Sequence, residues 1–520
     1  MLAAATAACT LLAISTDVPL STVPPRYASW NIDSTRDRLF FDADLGSAQL
    51  ARLMAAASGG NHSSLRFGGT GNDYLFYGGV GGSPACAATV PFSYECLNAT
   101  LFDNLLSLAG AAGAPIIFGL NIHPATGAPS PPKGAWDASN ARFLLAEAQR
   151  RGSPISHVEL GNEQNTIMTA QQQAAALGVL SGVLDELYPA PSAGRPLLVG
   201  PDTHSIHDAG SPNSAVLRYL ADFVSATAKL PLHAVTHHEY IEIDYLNVLN
   251  STFLDESALL GGQVVAAVRA VSKGVQVWAG EIGPHNGGGG STTAPTNCAG
   301  NRVCGRFGSA IWYADALAAK AAAGYAKFCR QDAIGADYAL LNATRDAAGA
   351  WQYAPSADFW ALVLWHQLIS GPPGALASPR VLAASVPAAA RATLRAYAFC
   401  QPGAPGSGAA AAVTLLLINL GGAQACVAMP AWAAAGAHAT QFSLTPGETQ
   451  PGATPIESPQ TLLNGLLLQA DAAGGIPDLQ GDSFPVGAGV ITLPPLSVSF
   501  VLVPLDKAGT GVPACVAPPS

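Results

Sequence analysis

His157-Val158-Glu159-Leu160-Gly161-Asn162-Glu163-Gln164-Asn165 opens as a short apolar strand and closes on an amide, a carboxylate and two further amides. A second run, Val275-Gln276-Val277-Trp278-Ala279-Gly280-Glu281, is built the same way and finishes on a single glutamate. Strand ends are where chemistry collects in a closed parallel barrel. Both runs therefore predict barrel strands that carry a carboxylate to the reactive face.

Working outward, apolar runs that end on polar residues recur at 27–33, 65–69, 116–121, 155–161, 197–201, 233–240, 275–281 and 326–332. Segments with helical spacing, rich in Ala and Leu, follow them at 44–57, 101–112, 137–151, 168–187, 212–228, 255–273, 308–324 and 355–370. Asp137 and Asp255 suit helix N-caps, and Gly152 and Gly274 suit left-handed C-caps. Eight strands alternating with eight helices predict an α/β fold, a (β/α)8 TIM barrel over 27–371. After Gly371-Pro372-Pro373-Gly374 the helical period disappears. Short β-like runs at 393–400, 413–420, 441–444, 461–468 and 496–503, broken by Gly and Pro, predict a C-terminal β-sandwich domain over 372–520. The N-terminal segment 1–26 has two open readings. Residues 2–14 are apolar enough for the core of a signal peptide but lack a basic flank, and a first strand over 10–14 joining the β-domain is the alternative.

Bulk properties narrow the function classes. Of 520 residues, 49% are hydrophobic and only 11% charged, so the chain can bury a large core. No apolar run reaches the ~18 residues of a membrane span, and no transmembrane segment is expected. A formal net charge of −10 argues against nucleic acid, an anionic membrane or a densely sulfated polymer as partner. Nine cysteines and the sequons at Asn61, Asn98, Asn250 and Asn342 point to the secretory pathway, with an extracellular, cell-wall, lysosomal or vacuolar destination. Cys86 with Cys96, and Cys298 with Cys304, are spaced as small loop staples rather than metal knuckles. His237 and His238 are adjacent on a strand and so point to opposite faces, which disfavours a metal; neither metal nor cofactor is expected.

Two glutamates at two strand ends are the pair that glycoside hydrolysis requires. The motifs Leu65-Arg66-Phe67-Gly68-Gly69-Thr70, Glu159-Leu160-Gly161-Asn162-Glu163, Thr236-His237-His238, Gly280-Glu281, Cys329-Arg330-Gln331, Gly335-Ala336-Asp337-Tyr338, Leu364-Trp365-His366, Leu463-Asn464-Gly465 and Leu493-Pro494-Pro495-Leu496-Ser497 occur in one order along the chain. In that order and spacing the chain resembles glycoside hydrolase family 79, the heparanase and β-glucuronidase family, and its plant heparanase-like branch in particular.

The resemblance implies the same barrel and sandwich, and a retaining mechanism with Glu163 as acid/base and Glu281 as nucleophile. It further implies substrate contacts at Asn162 (the sugar 2-hydroxyl), at Asp33, Thr70 and Gln331, and at Gly287, Gly288 and Tyr338 (the uronic carboxylate). Tyr240 falls where a nucleophile-bonding tyrosine sits, although Glu239 beside it departs from the family pattern. Cys400 and Cys515 match a family disulfide. The stretch 78–97 lacks Lys and Arg and matches no excised linker, so a single-chain enzyme is expected without proteolytic activation. The expected substrate is β-linked glucuronic acid on a glycoconjugate or polysaccharide, arabinogalactan side chains or small glucuronides before heparan sulfate, with no obligate protein partner. A non-catalytic carbohydrate-binding protein on this fold and a barrel glycosidase for a neutral sugar are the alternatives.

Overall fold

The computed structural model describes residues 9–35, 40–41, 43–83, 95–123, 136–189, 194–208, 211–286, 302–370, 378–401, 412–505 and 511–515. Eight parallel strands close a barrel: β1 (Ala28–Asp33), β2 (Leu65–Gly68), β3 (Ile116–Leu120), β4 (Ile155–Leu160), β5 (Leu197–Thr203), β6 (Leu232–Tyr240), β7 (Gln276–Gly283) and β8 (Lys327–Arg330). Each pairs with the next in sequence, and β8 closes on β1 through Phe328, Cys329 and Arg330. Each strand is followed by a helix: α1 (Ala48–Ala57), α2 (Ala99–Ala111), α3 (Ser139–Arg151), α4 (Ala170–Leu187), α5 (Ser214–Ala226), α6 (Ser251–Val271), α7 (Phe307–Ala323) and α8 (Ala357–Leu368). The TIM barrel expected from the alternation is therefore present. Helices cover the strands' outer faces and side chains fill the interior, so these strands are buried along their whole length even where, as in Ala28–Asp33 and Leu65–Gly68, they carry polar or charged residues.

Local chemistry sets where the helices begin. Side chains of Ser47, Asn98, Thr169, Asn213 and Asn250 accept hydrogen bonds from first-turn amides of α1, α2, α4, α5 and α6. Two expectations need correction here. Asn250 accepts from the amides of Thr252 and Phe253, so α6 starts at Ser251, and Asp255 lies in its second turn, where it takes Arg395 at 2.8 Å. The same helix leaves through Ser272 in extended backbone, φ −144°, so Gly274 caps nothing. Gly152 does cap α3 in the left-handed region, φ 58°. Asp137 accepts from the Ser139 amide at 2.9 Å, although Ala138 occupies the cap position.

Beyond α8 lies a nine-stranded sheet whose centre runs β9 (Leu394–Gln401), β10 (Ala412–Asn419), then β12 (Ser497–Pro504) and β11 (His438–Pro446). Strand β10 alternates between two cores. Val413, Leu415 and Leu417 join Val427, Ile491 and Leu493 of a small second sheet, Ala425–Ala428 with Val490–Leu493. Leu416 and Ile418 join the core that includes α7 and α8. Burial on both faces explains why it is apolar apart from Thr414, whose hydroxyl donates to the Leu368 carbonyl at 2.6 Å, and the terminal Asn419. The N-terminal residues pack with this domain: Ser21–Thr22 forms an edge of the large sheet, and Ala13–Ile14 pairs with Ala384–Ser385.

Cys400 and Cys515 form a disulfide, which closes a loop long enough to stabilise the fold by a few kcal/mol, ~3–5. A second, Cys9 with Cys426, was not expected, because its 417-residue separation carries no local signal. Cys96 and Cys304 are disulfide-bonded, while Cys86 and Cys298 lie outside the described residues, as does the whole stretch from 84 to 94. All four sequon asparagines, Asn61, Asn98, Asn250 and Asn342, are exposed. No described helix is long and apolar enough to cross a membrane.

Candidate active site

Strand alternation brings charged side chains into the barrel. On β2, Leu65 and Phe67 face the helices and Arg66 faces in; on β4, Val158 and Leu160 face out and Glu159 faces in. Arg66 is 1% exposed, and its guanidinium is the hub of the site. Nε donates to Glu159 at 2.6 Å, Nη2 to Asp202 at 2.5 Å and to Asn162 Oδ1 at 3.4 Å, and Nη1 to Glu281 at 3.1 Å. Only a planar fork with several donors can serve acceptors in so many directions. Gly68 follows on the same inward face because a Cβ there would run into that guanidinium.

Glu281 reaches the interior through an irregularity in β7. Trp278 and Gly280 point inward by alternation, and the register shift against both β6 and β8 turns Glu281 inward as well. The Tyr240 hydroxyl donates to Glu281 Oε1 and Arg66 holds Oε2. Glu163 sits just past β4 with φ 54°, a conformation that non-glycine residues adopt rarely and mostly where function demands it. Its amide donates to the Asp202 carbonyl at 2.8 Å, which pins the end of β4 to the end of β5.

His238, fully buried on the inward face of β6, ties these groups together. Nε2 bonds Asp202 Oδ1 at 2.9 Å, and Nδ1 bonds Glu163 Oε1 at 2.8 Å and stands 3.7 Å from Glu281 Oε1. The two glutamate oxygens can lie no further apart than those last two distances laid end to end. That places them at or below the ~6.5 Å where the separations of inverting enzymes begin.

The electrostatics follow from burial against charge. Burial would raise Asp202, but Arg66 and His238 outweigh it and hold the carboxyl below its ordinary range. Burial likewise opposes the shift of Glu163, whose carboxyl the His238 hydrogen bond and charge pull down. For Glu281 burial wins, aided by the charges of Asp33 and Glu163 and opposed by His238 and Arg66, so its carboxyl is raised. Glu159 is pushed up to about 7 by burial despite Arg66. Burial disfavours protonated His238, but Asp202 and Glu281 raise it well above 6.5. Both shifts favour an imidazolium beside a carboxylate over two neutral groups.

The remaining predicted contacts surround this centre. Asn162, 6% exposed, is held through its amide N–H by the Asp73 carboxylate at 3.1 Å, and its Nδ2 approaches the exposed Thr70 hydroxyl at 3.4 Å. Asp33 accepts from Gln331 Nε2 at 2.8 Å, and Gln331 in turn accepts from Asn31 at 3.0 Å. Tyr338 is fully buried, with Arg330 over its ring at 5.5 Å. Gly287 and Gly288 lie outside the described residues. Glu239 faces away from the site and is paired with Lys320 in the outer core, so it leaves Tyr240 free to face inward. Arg66, Asp202, Asp73 and the bridging role of His238 were missed by sequence reading. The available signal was a charged residue flanked by apolar ones in a strand, at Arg66 and Glu159.

The profile of the glycosyl hydrolase family 79 N-terminal domain matches residues 30–318. Heparanase-like protein 1 of Arabidopsis thaliana is 25% identical over 79% of this chain and 75% of its own length. Baicalin-β-D-glucuronidase of Scutellaria baicalensis is 26% identical over 80% and 76%, and mouse heparanase 27% over 74% and 73%. Among solved structures, a 4-O-α-L-rhamnosyl-β-D-glucuronidase from Fusarium oxysporum superposes with a TM-score of 0.63 at 13% identity, covering 95% of this chain and 100% of that one. A family 51 arabinofuranosidase from Xanthomonas axonopodis pv. citri gives 0.62 at 12%, covering 95% and 99%. These two likenesses concern the fold alone.

Proposed function

The chain belongs to glycoside hydrolase family 79, and from that premise we propose that it is a retaining β-glucuronidase in which Glu281 is the nucleophile and Glu163 the acid/base. The observation that carries the proposal is the shared approach of both carboxylates to His238 Nδ1, with Tyr240 and Arg66 gripping Glu281. In the first step a Glu281 oxygen bonds to the anomeric carbon, the glycosidic C–O bond breaks, and Glu163 delivers a proton to the departing oxygen. In the second, Glu163 takes a proton from water, the water oxygen bonds to that carbon, and Glu281 leaves. In this reading Asn162 bonds the 2-hydroxyl, and Asp33, Thr70 and Gln331 line the sugar site.

The first step needs Glu163 protonated, which the free protein does not favour. The proton lies one hydrogen bond away, on His238 Nδ1. A sugar that displaces water from around Glu163 penalises the separated charges of the imidazolium and the carboxylate, and so drives that proton onto Glu163. His238→Gln would remove the cation that lowers both glutamates. The pH below which Glu281 becomes protonated should rise, moving the acid limb of kcat/KM upward by about one unit. An unmoved acid limb in the pH–rate profile would exclude His238 from this role.

Glu163→Gln should slow substrates with poor leaving groups by ~10²–10⁴ and activated aryl glucuronides far less in the glycosylation step, since only the former need the proton. Equal losses across a series of leaving groups would count against Glu163 as the acid. The glucuronic acid reading rests on the heparanase and glucuronidase relatives, and on the Gly287, Gly288 and Tyr338 positions for the carboxylate. The stretch 78–97 holds no Lys or Arg to bind sulfates. Glucuronic acid on a neutral or weakly acidic partner is therefore the proposed substrate. The disulfides and the four exposed sequons support a place in the secretory pathway. Comparing 4-nitrophenyl β-D-glucuronide with the β-glucoside and the α-arabinofuranoside tests the substrate class. Turnover of either neutral glycoside above the glucuronide would overturn it.

A further inference from the structure

The β-domain carries a groove that the barrel chemistry does not use. On β11, Phe442 and Leu444 point into the core shared with the barrel helices, so Gln441, Ser443 and Thr445 line the opposite face. There they meet Asp482, Phe484 and Thr492 across the seam between the large sheet and the smaller one, around a cavity of about 640 Å³.

The floor of this groove is cross-linked by hydrogen bonds. Asn464 accepts from the Ser443 amide at 2.8 Å and donates to the Gln441 carbonyl at 3.0 Å. Gln441 Nε2 donates to Ser443 Oγ at 2.8 Å and to the Thr492 carbonyl at 2.9 Å, which fixes the side-chain amide and leaves Oε1 facing the groove. Gln441 and Thr445, both half-buried, and Asp482 and Thr492, both exposed, line the groove with their polar groups. A fixed amide oxygen, a carboxylate and two hydroxyls, beside one half-buried aromatic ring, match a ligand with many hydroxyls and an apolar C–H face. No Lys or Arg lines the groove, and Asp482 would repel an anion.

We propose that this seam is a second carbohydrate site, selective for a neutral oligosaccharide and separate from the barrel cleft. It would hold an uncharged stretch of glycan on a domain that performs no chemistry. The proposal does not depend on the glucuronidase reading, because its ligand carries no uronic acid.

The test is calorimetric titration of the full chain with the neutral hexaoses of β-1,4-xylan and β-1,4-galactan, beside hexagalacturonate as the anionic control. At least one neutral hexaose should bind saturably with Kd of about 1 mM or tighter. Phe484→Ala should weaken that binding tenfold or more, and Thr445→Arg, which fills the groove, should do the same. Turnover of the aryl glucuronide should be unchanged in both. Phe484 is partly packed into the sandwich core, so if its variant melts early, Thr445→Arg at a half-buried position becomes the deciding substitution. Absence of neutral binding, binding that survives Thr445→Arg, or equal affinity for hexagalacturonate would each overturn the proposal.

Discussion

Glu281→Ala is expected to lower kcat/KM on 4-nitrophenyl β-D-glucuronide by on the order of 10⁴–10⁶, since on the proposed mechanism it removes the group that bonds to the anomeric carbon. The side chain is 7% exposed and gripped by Tyr240 and Arg66. Its truncation therefore opens a small hole that an anion can enter. Azide should restore part of the turnover, and the stereochemistry of the product is decisive. Azide in place of Glu281 attacks the β-glucuronide directly and gives the α-glycosyl azide. Azide replacing an acid/base would instead attack a glycosyl-enzyme and give the β-glycosyl azide. Recovery of the β product from Glu281→Ala would reverse the two assignments, and NMR of the product reads this without ambiguity.

Arg66→Met should be the most destabilising single change in the barrel. It removes one buried cation that serves Glu159, Asp202 and Glu281 together. Breaking a buried pair from one side costs ~3–5 kcal/mol, because the orphaned charge stays out of water. Without Arg66 the folded-state values of Glu159 and Asp202 rise, and a carboxyl raised above its unfolded value costs stability once pH exceeds the unfolded value, increasingly so up to the folded one. The deficit relative to the parent protein should thus be larger at pH 8 than at pH 5, as read from urea denaturation. A deficit below about 1 kcal/mol, or one that is the same at both pH values, would show that the carboxylates find other partners. Arg66→Lys should recover little, since a single ammonium cannot reach acceptors in three directions.

Both effects bear on what could be read from the chain alone. The barrel was legible because short apolar runs alternate with segments of helical period without interruption, the runs being buried on both faces and the helices on one. Glu163 and Glu281 stood out because each is a carboxylate closing an apolar run, although Glu163 lies just past β4 and Glu281 inside β7. The C-terminal β-sheets were legible as a loss of the helical period after residue 374.

What the sequence by itself determined, then, is the order of elements, their faces and the two carboxylates, since these depend on contacts local to each element. Tertiary structure alone decided which charges meet. Arg66, Glu159, Asp202, His238 and Glu281 come from five different strands, and the closure of the barrel sets the distances among them. The same holds for Cys9 with Cys426, which the pairing of the N-terminal residues with the β-domain brings together. A proton's position in such a cluster depends on burial and on every neighbouring charge at once. Neither quantity has a periodicity, and so neither leaves a trace in the order of residues.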